Sequence, residues 1–222
     1  MYDGLINVYK EAGFTSHDVV AKLRGILRQK KIGHTGTLDP DATGVLPVCL
    51  GKGTKLCDML TDRDKEYEAT MLLGYETDTQ DMSGTILRES AAHLDIQTVT
   101  ETILSFVGPY EQIPPMFSAL KVNGQKLCDL ARAGKTVERK PRPIEIYRID
   151  IESIEPYEAD KLRVIMRVAC SKGTYIRTLC HDIGQKLGCG GALASLVRTV
   201  AAGFEIKDAL TLGQIEQLVQ SE

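Results

Sequence analysis

The chain lacks the features of a membrane-bound or exported protein. No apolar run approaches the roughly 18 residues that a membrane-spanning helix needs. The first residues, Met1-Tyr2-Asp3-Gly4, carry neither the basic start nor the apolar core of a signal peptide. The six cysteines form no C-x-x-C pair and indicate reduced thiols. We therefore expect a cytoplasmic protein with no membrane partner.

Motifs of the common cofactor and metal enzymes are also missing. Residues 51–55, Gly-Lys-Gly-Thr-Lys, have the spacing of neither a phosphate-binding loop nor a dinucleotide fingerprint. The four histidines form no H-E-x-x-H motif, and no serine stands in a G-x-S-x-G elbow. Residues 180–182, Cys-His-Asp, and Cys189 fit no common zinc-ligand spacing. The sequence predicts no metal and no cofactor, and it gives a cysteine- or zinc-dependent hydrolase little support.

Positive charge is concentrated in one segment of an otherwise acidic chain. The net charge is −3, yet residues 116–143 hold seven basic and two acidic side chains, which is 7 − 2 = +5. This segment is either a solvated surface loop with a short helix at 127–133 or an arm that lies on phosphates. Charge alone leaves both interpretations open. The basic residues are Lys121, Lys126, Arg132, Lys135, Arg139, Lys140 and Arg142.

Hydrophobic periodicity predicts a mixture of helices and strands. Alternation predicts strands at residues 5–9, 67–74, 144–154 and 161–170, the last two as antiparallel neighbours. Helical spacing predicts helices at residues 16–28, 98–106, 176–187 and from 211 onward. Ser16 is the expected N-cap of the first helix, Thr100 is one candidate cap of the second, and Thr211 caps the last.

The segment from residue 34 to residue 44 places one carboxylate in a tightly constrained loop. It reads His-Thr-Gly-Thr-Leu-Asp-Pro-Asp-Ala-Thr-Gly, with Asp39 between Gly36 and Gly44. Pro40 fixes its own backbone and restricts Asp39 before it, while glycines allow shapes that other residues resist. A lone aspartate in such a loop is usually a cap or turn residue. The spacing by itself leaves catalysis as an open alternative.

Five segments in order resemble the TruB family, the bacterial tRNA pseudouridine-55 synthases. They are Gly33-His34-Thr35-Gly36-Thr37-Leu38-Asp39-Pro40 with its continuation to Leu46; Asp64-Lys65-Glu66-Tyr67 with residues 73–84; Pro114-Pro115-Met116-Phe117-Ser118-Ala119-Leu120-Lys121; Ser171-Lys172-Gly173-Thr174-Tyr175-Ile176-Arg177; and Leu196. One departure is the first family motif, usually Lys-Pro-x-Gly, which here reads Lys10-Glu11-Ala12-Gly13.

The resemblance implies an α+β pseudouridine synthase fold. Such a fold has a central, largely antiparallel mixed sheet flanked by helices, with a basic RNA-gripping insertion at about 109–143. We expect residues 1–222 to form the catalytic domain and the usual C-terminal RNA-binding domain to be absent. The implied reaction breaks the N1–C1′ bond of uridine 55 in tRNA and rejoins the base through C5, without a cofactor. The expected partner is the tRNA T-arm, bound by a monomer without guide RNA.

The resemblance also implies roles for individual residues. Asp39 is the catalytic carboxylate, which either attacks C1′ or removes a 2′ proton, and Arg177 is its cationic partner. Tyr67 stacks on the extruded base, and Tyr175 assists proton removal from C5. Expected RNA-binding residues are His34, Asp81 (which orients His34), Lys121, Lys126, Arg132 and Leu196. Two alternatives remain open: a non-catalytic tRNA-binding or tRNA-folding module, and a guide-RNA-dependent synthase.

Overall fold

The computed structural model describes residues 1–122, 124–158 and 160–221. Residue 123 of the predicted insertion and the last residue of the predicted domain therefore lie outside the described residues. The chain forms two compact units, one from Met1–Glu68 with Ser195–Glu222 and one from Ala69–Ala194. The predicted domain boundaries stay a prediction.

The described residues form six α-helices and thirteen strands. The helices are α1 (Ser16–Ile26), α2 (Cys57–Thr61), α3 (Ile96–Leu104), α4 (Leu127–Arg132), α5 (Ile176–Leu187) and α6 (Leu212–Gln220). The strands are β1 (Gly4–Lys10), β2 (Ile32–His34), β3 (Thr43–Leu50), β4 (Lys65–Leu73), β5 (Tyr75–Thr77), β6 (Ile86–Glu89), β7 (Gly108–Gln112), β8 (Lys121–Val122), β9 (Gln125–Lys126), β10 (Arg142–Tyr157), β11 (Lys161–Cys170), β12 (Gly191–Ala201) and β13 (Phe204–Glu205). Among these residues no helix is long and apolar enough to cross a membrane.

The first unit is built around β3, whose side chains are nearly all buried. Both β1 and β2 pair with β3 in antiparallel register, whereas β12 pairs with it in parallel. A strand that is buried on both faces reads as a continuous apolar run, as Val-Leu-Pro-Val-Cys-Leu does here. Apolar side chains of α1 and α6 pack against those of the three strands, and together they form the core of this unit: Val8, Val19, Val20, Leu23, Leu27, Ile32, Leu46, Val48, Leu50, Leu212 and Ile215.

The start of α1 differs from the sequence prediction by one residue. Thr15 is the N-cap, because its side chain accepts from the Asp18 amide and the Asp18 carboxylate accepts from the Thr15 amide. This capping box satisfies two otherwise unpaired amides, so the expected cap at Ser16 is wrong. Ser16 is instead fully buried, and its hydroxyl accepts from the Leu38 amide at 3.0 Å. The residue thus fastens the loop that carries Asp39.

The second unit contains the long antiparallel pair β10 and β11, as predicted, with β7 on the other edge of β10. The predicted helix at 176–187 is confirmed as α5, and its C-cap, Gly188, has a left-handed conformation. The candidate cap of α3 at Thr100 is wrong, since Asp95 accepts from the Thr98 amide at 2.8 Å and starts the helix earlier. A hairpin of β5 and β6 follows β4 in a region without a strand prediction.

The basic segment is partly regular structure. The predicted short helix is confirmed as α4, which follows the small hairpin of β8 and β9. Its Leu127 is buried, and the Leu127 amide donates to the Leu120 carbonyl at 2.8 Å. Together with the antiparallel pairings and the parallel pairing of β12 with β3, these elements confirm the predicted α+β class with a largely antiparallel mixed sheet.

Candidate active site

The sequence-predicted site residues fall into two groups, one in each compact unit. The first unit holds His34, Asp39, Tyr67 and Leu196. The second unit holds Asp81, Lys121, Lys126, Arg132, Tyr175 and Arg177.

The loop of Asp39 is held on both sides by buried side chains. Lys10 is fully buried, and its ammonium donates to the Pro40 carbonyl at 2.9 Å and to the Glu11 carbonyl at 3.0 Å. Ser16 binds the Leu38 amide, and the Ala42 amide donates to the Asp39 carbonyl at 3.1 Å. The residues immediately before and after Asp39 are therefore fixed through their backbone groups, and the Asp39 side chain is partly exposed.

Lys10 also shapes the electrostatics of this loop. Burial lowers the pKa of Lys10, while the carboxylates of Asp41 and Asp39 oppose that shift. Asp39 thus lies within electrostatic range of a buried cation, and a nearby cation favours the ionised form of a carboxyl group. An ionised carboxylate is the form that could attack a carbon atom or accept a proton.

A second buried cation, Arg198, was not among the predicted site residues. It is 1% exposed, and its Nε donates to the Val45 carbonyl at 2.7 Å while its Nη2 donates to the Gly36 carbonyl at 3.3 Å. Its side chain also hydrogen-bonds to that of Tyr67. Burial lowers the pKa of Arg198, and the contact with Tyr67 opposes that effect. The one signal in the sequence was its position two residues after Leu196, which places both side chains on the same face of β12.

Tyr67 and Leu196 differ in how far they are exposed. Tyr67 is 8% exposed, whereas Leu196 is partly exposed on β12. Tyr67 therefore presents a buried ring with its hydroxyl bound to Arg198.

His34 forms an edge-to-face contact with a histidine that the sequence prediction missed. The ring centroids of His17 and His34 lie 5.2 Å apart at an interplanar angle of 80°. The buried Nδ1 of His34 has no hydrogen-bond partner within the part of the chain that the structure describes. Burial lowers the pKa of His34, and the neighbouring charges of His17 and Arg198 act in the same direction. The His34 ring is therefore neutral near pH 7.

In the second unit, Arg177 connects two segments. It is 5% exposed, and its Nη2 donates to the Phe117 carbonyl at 2.9 Å. Its Nη1 donates to the Thr79 carbonyl at 3.3 Å and lies 3.6 Å from a carboxylate oxygen of Asp81. The guanidinium thus joins the loop after β5 to the start of the predicted insertion. The expected pairings of Arg177 with Asp39 and of Asp81 with His34 stay predictions.

Asp81 and Tyr175 are held by local hydrogen bonds. One carboxylate oxygen of Asp81 accepts from the hydroxyls of Thr79 at 2.7 Å and Ser83 at 2.6 Å. The amide side chain of Gln112 receives a bond from the Tyr175 amide at 2.8 Å and donates to the Tyr175 carbonyl at 3.0 Å. Both backbone groups at the start of α5 are therefore fixed, and the Tyr175 ring is partly exposed.

The basic side chains of the insertion that are predicted to bind RNA lie at the surface. Lys121, Lys126 and Arg132 are all exposed, and the first two line a depression of about 480 Å³ together with Lys135. Arg132 lies 3.7 Å from a carboxylate oxygen of Asp129, but both side chains are mostly exposed. Ion pairs of this kind contribute about 0–1 kcal/mol, so Arg132 can exchange this partner for a phosphate at little cost.

The residues considered for a zinc or cysteine site do not form such a site in the part of the chain that the structure describes. In the described portion of the chain, no group of three or more His, Cys, Asp or Glu side chains could hold a metal ion. Cys180 is fully buried in α5, and burial raises the pKa of its thiol far above the ordinary value. A thiol in that setting packs as a small apolar side chain and is a poor nucleophile.

Two solved structures share this fold. A chain from the crystal structure of a Cbf5-Nop10-Gar1 complex is 33% identical, with a TM-score of 0.75 over 96% of this chain and 54% of that chain. A chain from the structure of an H/ACA RNP bound to a substrate RNA containing 2′-deoxyuridine is 30% identical, with a TM-score of 0.71 over 96% of this chain and 52% of that chain. The protein therefore spans about half the length of these chains. The fold is that of the pseudouridine synthases.

The particular family follows from two family models. The model described as TruB family pseudouridylate synthase (N terminal domain) matches residues 24–176, and the tRNA pseudouridylate synthase B C-terminal domain matches residues 177–222. The chain belongs to the TruB family. It is 57% identical to the tRNA pseudouridine synthase B of Lachnoclostridium phytofermentans over 99% of this chain and 73% of that relative. It is 51% identical to the protein of the same name from Streptococcus gordonii, over 99% of this chain and 76% of that relative.

Proposed function

We propose that this chain is a tRNA pseudouridine synthase, an isomerase that converts uridine 55 of the T-loop to pseudouridine in the cytoplasm. The observation that carries the proposal is its identity of 57% to a protein named tRNA pseudouridine synthase B, along 99% of the chain. The Asp39 loop supports it, because buried side chains hold the residues on both sides of one carboxylate.

In this proposal Asp39 is the catalytic carboxylate. The reaction breaks the bond between N1 of uracil and C1′ of the ribose and forms a bond from C5 to C1′, so the substrate supplies every atom of the product. Asp39 either attacks C1′ or removes the 2′ proton, and both routes need the ionised form. The electrostatic contact of Asp39 with buried Lys10 supports that form. Arg177 is proposed as its cationic partner in the complex with RNA.

The remaining site residues receive the extruded nucleotide. Removing a stacked base from the T-loop costs about a few kcal/mol, and stacking on an aromatic ring returns about 1–3 kcal/mol. We assign the stacking to Tyr67 and the apolar wall of the base pocket to Leu196. Tyr175 assists the removal of the proton from C5. His34, a neutral ring, contacts the flipped nucleotides and is oriented by Asp81.

The insertion at 109–143 grips the T-arm. Double-stranded RNA is recognised mainly by its shape and its phosphates, so exposed lysine and arginine side chains on a small folded element suit this role. Lys121, Lys126 and Arg132 are exposed on or beside α4 and the preceding hairpin. Arg177, the proposed partner of Asp39, donates to the Phe117 carbonyl at the start of this segment. The same side chain would therefore contact both the insertion and the catalytic carboxylate. We propose that a monomer carries out the whole reaction.

A guide-free assay tests the proposal. The purified protein is incubated with unmodified tRNA in EDTA, without guide RNA, and pseudouridine is measured by mass spectrometry. Product at position 55 is expected. A protein that binds the tRNA without forming product would be a non-catalytic module. The likeness to a chain of an H/ACA RNP makes a guide-dependent synthase the second candidate, and product that forms only after addition of guide RNA would favour it.

Asp39→Asn separates chemistry from binding. Turnover should be lost, because the amide can neither attack C1′ nor accept the proton, while tRNA affinity should stay within about a few fold. Asp41→Asn is the matched control, since it removes an exposed carboxylate from the same loop and should leave turnover intact. Equal loss of turnover in both variants, or loss of tRNA binding in Asp39→Asn alone, would make Asp39 a structural residue.

A further inference from the structure

The guanidinium of Arg198 contacts three separate segments of the first unit. Its acceptors are the Gly36 carbonyl at the start of the Asp39 loop, the Val45 carbonyl in β3 and the side chain of Tyr67 in β4. Gly36 lies three residues before Asp39, and Val45 lies six residues after it. One side chain therefore brackets the loop and reaches the tyrosine as well.

We propose that Arg198 is a positioning residue that holds the Asp39 loop and the Tyr67 hydroxyl in one fixed arrangement. The inference rests on the proposed function, since it concerns the geometry in which Asp39 and Tyr67 would act. Arg198 acts through these two residues and needs no contact with the RNA itself.

The chemistry of the side chain supports this role. A guanidinium is a planar fork with five N–H donors, so it can bind several acceptors in directions set by its plane. A lysine ammonium is a compact point charge on a flexible stem and cannot reproduce that spread. Because Arg198 is 1% exposed, water cannot replace the lost donors. A shift of the guanidinium would be transmitted to the Gly36 carbonyl and to the Tyr67 hydroxyl together.

The strand that carries Arg198 strengthens the assignment. Leu196 and Arg198 are two residues apart on β12, so their side chains lie on the same face. Arg198 is paired with Gly44 in the parallel register of β12 and β3. The backbone of β12 is thereby fixed against the end of the Asp39 loop at the same point where the guanidinium crosses to Gly36 and Val45.

The first test is Arg198→Lys, which keeps the positive charge and removes the fork. Misplacement of catalytic groups by about 1 Å can cost about 100-fold, so kcat on tRNA should fall by about 100-fold. The tRNA affinity, measured separately by filter binding, should stay within about threefold. Lys161→Met is the matched control, because Lys161 is another buried cation and binds the Ser90 carbonyl in the second unit. It should lower the melting temperature without lowering kcat.

A double-mutant cycle with Tyr67→Phe tests whether Arg198 affects kcat through the Tyr67 hydroxyl. Residues that act through each other show non-additive effects, so Arg198→Lys should cost much less in the Tyr67→Phe background than in the wild type. Equal fold losses in both backgrounds would overturn the proposal. Unchanged kcat in Arg198→Lys would overturn it as well, and so would an equal fall of kcat in Lys161→Met.

Hydrogen exchange provides a readout that does not depend on the folding of the arginine variant or on activity. Tyr67→Phe keeps the ring and removes one acceptor of Arg198, so the amides of residues 36–39 should exchange about tenfold faster while those of α6 do not change. Unchanged exchange at residues 36–39 would refute the positioning role. If the wild type is inactive but Tyr67→Phe shows the expected faster exchange, the proposed function is refuted and the positioning role of Arg198 stands.

Discussion

Gly44→Ala perturbs the junction between the Asp39 loop and β3. Gly44 has a φ of +104°, a conformation that L side chains rarely adopt. A Cβ atom at this position would lie 2.3 Å from the carbonyl oxygen of Arg198 and 2.9 Å from its amide nitrogen. Both are backbone atoms of the paired strand β12, so no side-chain rotation can relieve the overlap.

The expected loss of stability has two parts. A positive φ costs a non-glycine residue about 1–2 kcal/mol. Forcing a packed backbone apart costs typically about 1–3 kcal/mol more. The free energy of unfolding should therefore fall by about 2–5 kcal/mol, a large part of the roughly 5–15 kcal/mol that stabilises a typical domain.

Comparison with Gly203→Ala isolates the second part. Gly203 has a φ of +83°, and nothing lies within 4 Å of a Cβ atom placed there. It should lose only the conformational part, so Gly44→Ala should exceed it by about 1–3 kcal/mol. The assay is urea unfolding followed by far-ultraviolet circular dichroism, with the slopes compared to check that both variants unfold alike. Equal losses in the two variants would show that β12 does not approach Gly44 as closely as the structure has it.

Two further predictions concern the second unit. Burial raises the pKa of Asp182 from 3.8 to about 6, so the folded state holds this proton longer than the unfolded state and the free energy of unfolding falls as pH rises between those values. The melting temperature of the wild type should therefore drop, relative to that of Asp182→Asn, between pH 4 and pH 7; parallel curves would contradict this. Replacing Lys121, Lys126 and Arg132 with glutamine should weaken tRNA binding and reduce the slope of log affinity against log salt by about 2–3, whereas Lys207→Gln should not. An unchanged slope in the triple variant would remove the RNA grip from the insertion.

Patterns that depend on neighbouring residues could be predicted from the sequence. The helix at 176–187 and the antiparallel strands near 144–170 follow from hydrophobic spacing, and both are confirmed. The helix caps were harder to predict from the sequence, because Thr15 and Ser16 are both good caps. Only the hydrogen bond from the Thr15 amide to the Asp18 carboxylate decides between them. The β5–β6 hairpin was missed because β6 is exposed along its whole length and carries no buried alternation.

The buried cations could not be predicted, and their partners explain why. Charged residues are mostly exposed, so Lys10 and Arg198 would ordinarily be placed at the surface. Arg198 is separated by 153 residues from Val45 and by 162 residues from Gly36. Its acceptors there are backbone carbonyls, which every residue type possesses. No residue pattern at either end of such a contact marks it in the sequence, whereas the glycines and the proline of the Asp39 loop are visible because they constrain the chain locally.

The unusual first motif is compatible with an intact Asp39 loop. The family usually has proline where this chain has Glu11. The observed contact at this position is made by the Glu11 carbonyl, which accepts from Lys10, and the Gly13 amide donates to the Pro40 carbonyl at 3.0 Å. Proline differs from glutamate by its fixed φ and its missing amide hydrogen, but it retains the carbonyl. Since the tether from Lys10 to Pro40 uses backbone oxygens alone, the exchange of proline for glutamate leaves its donor and both acceptors in place.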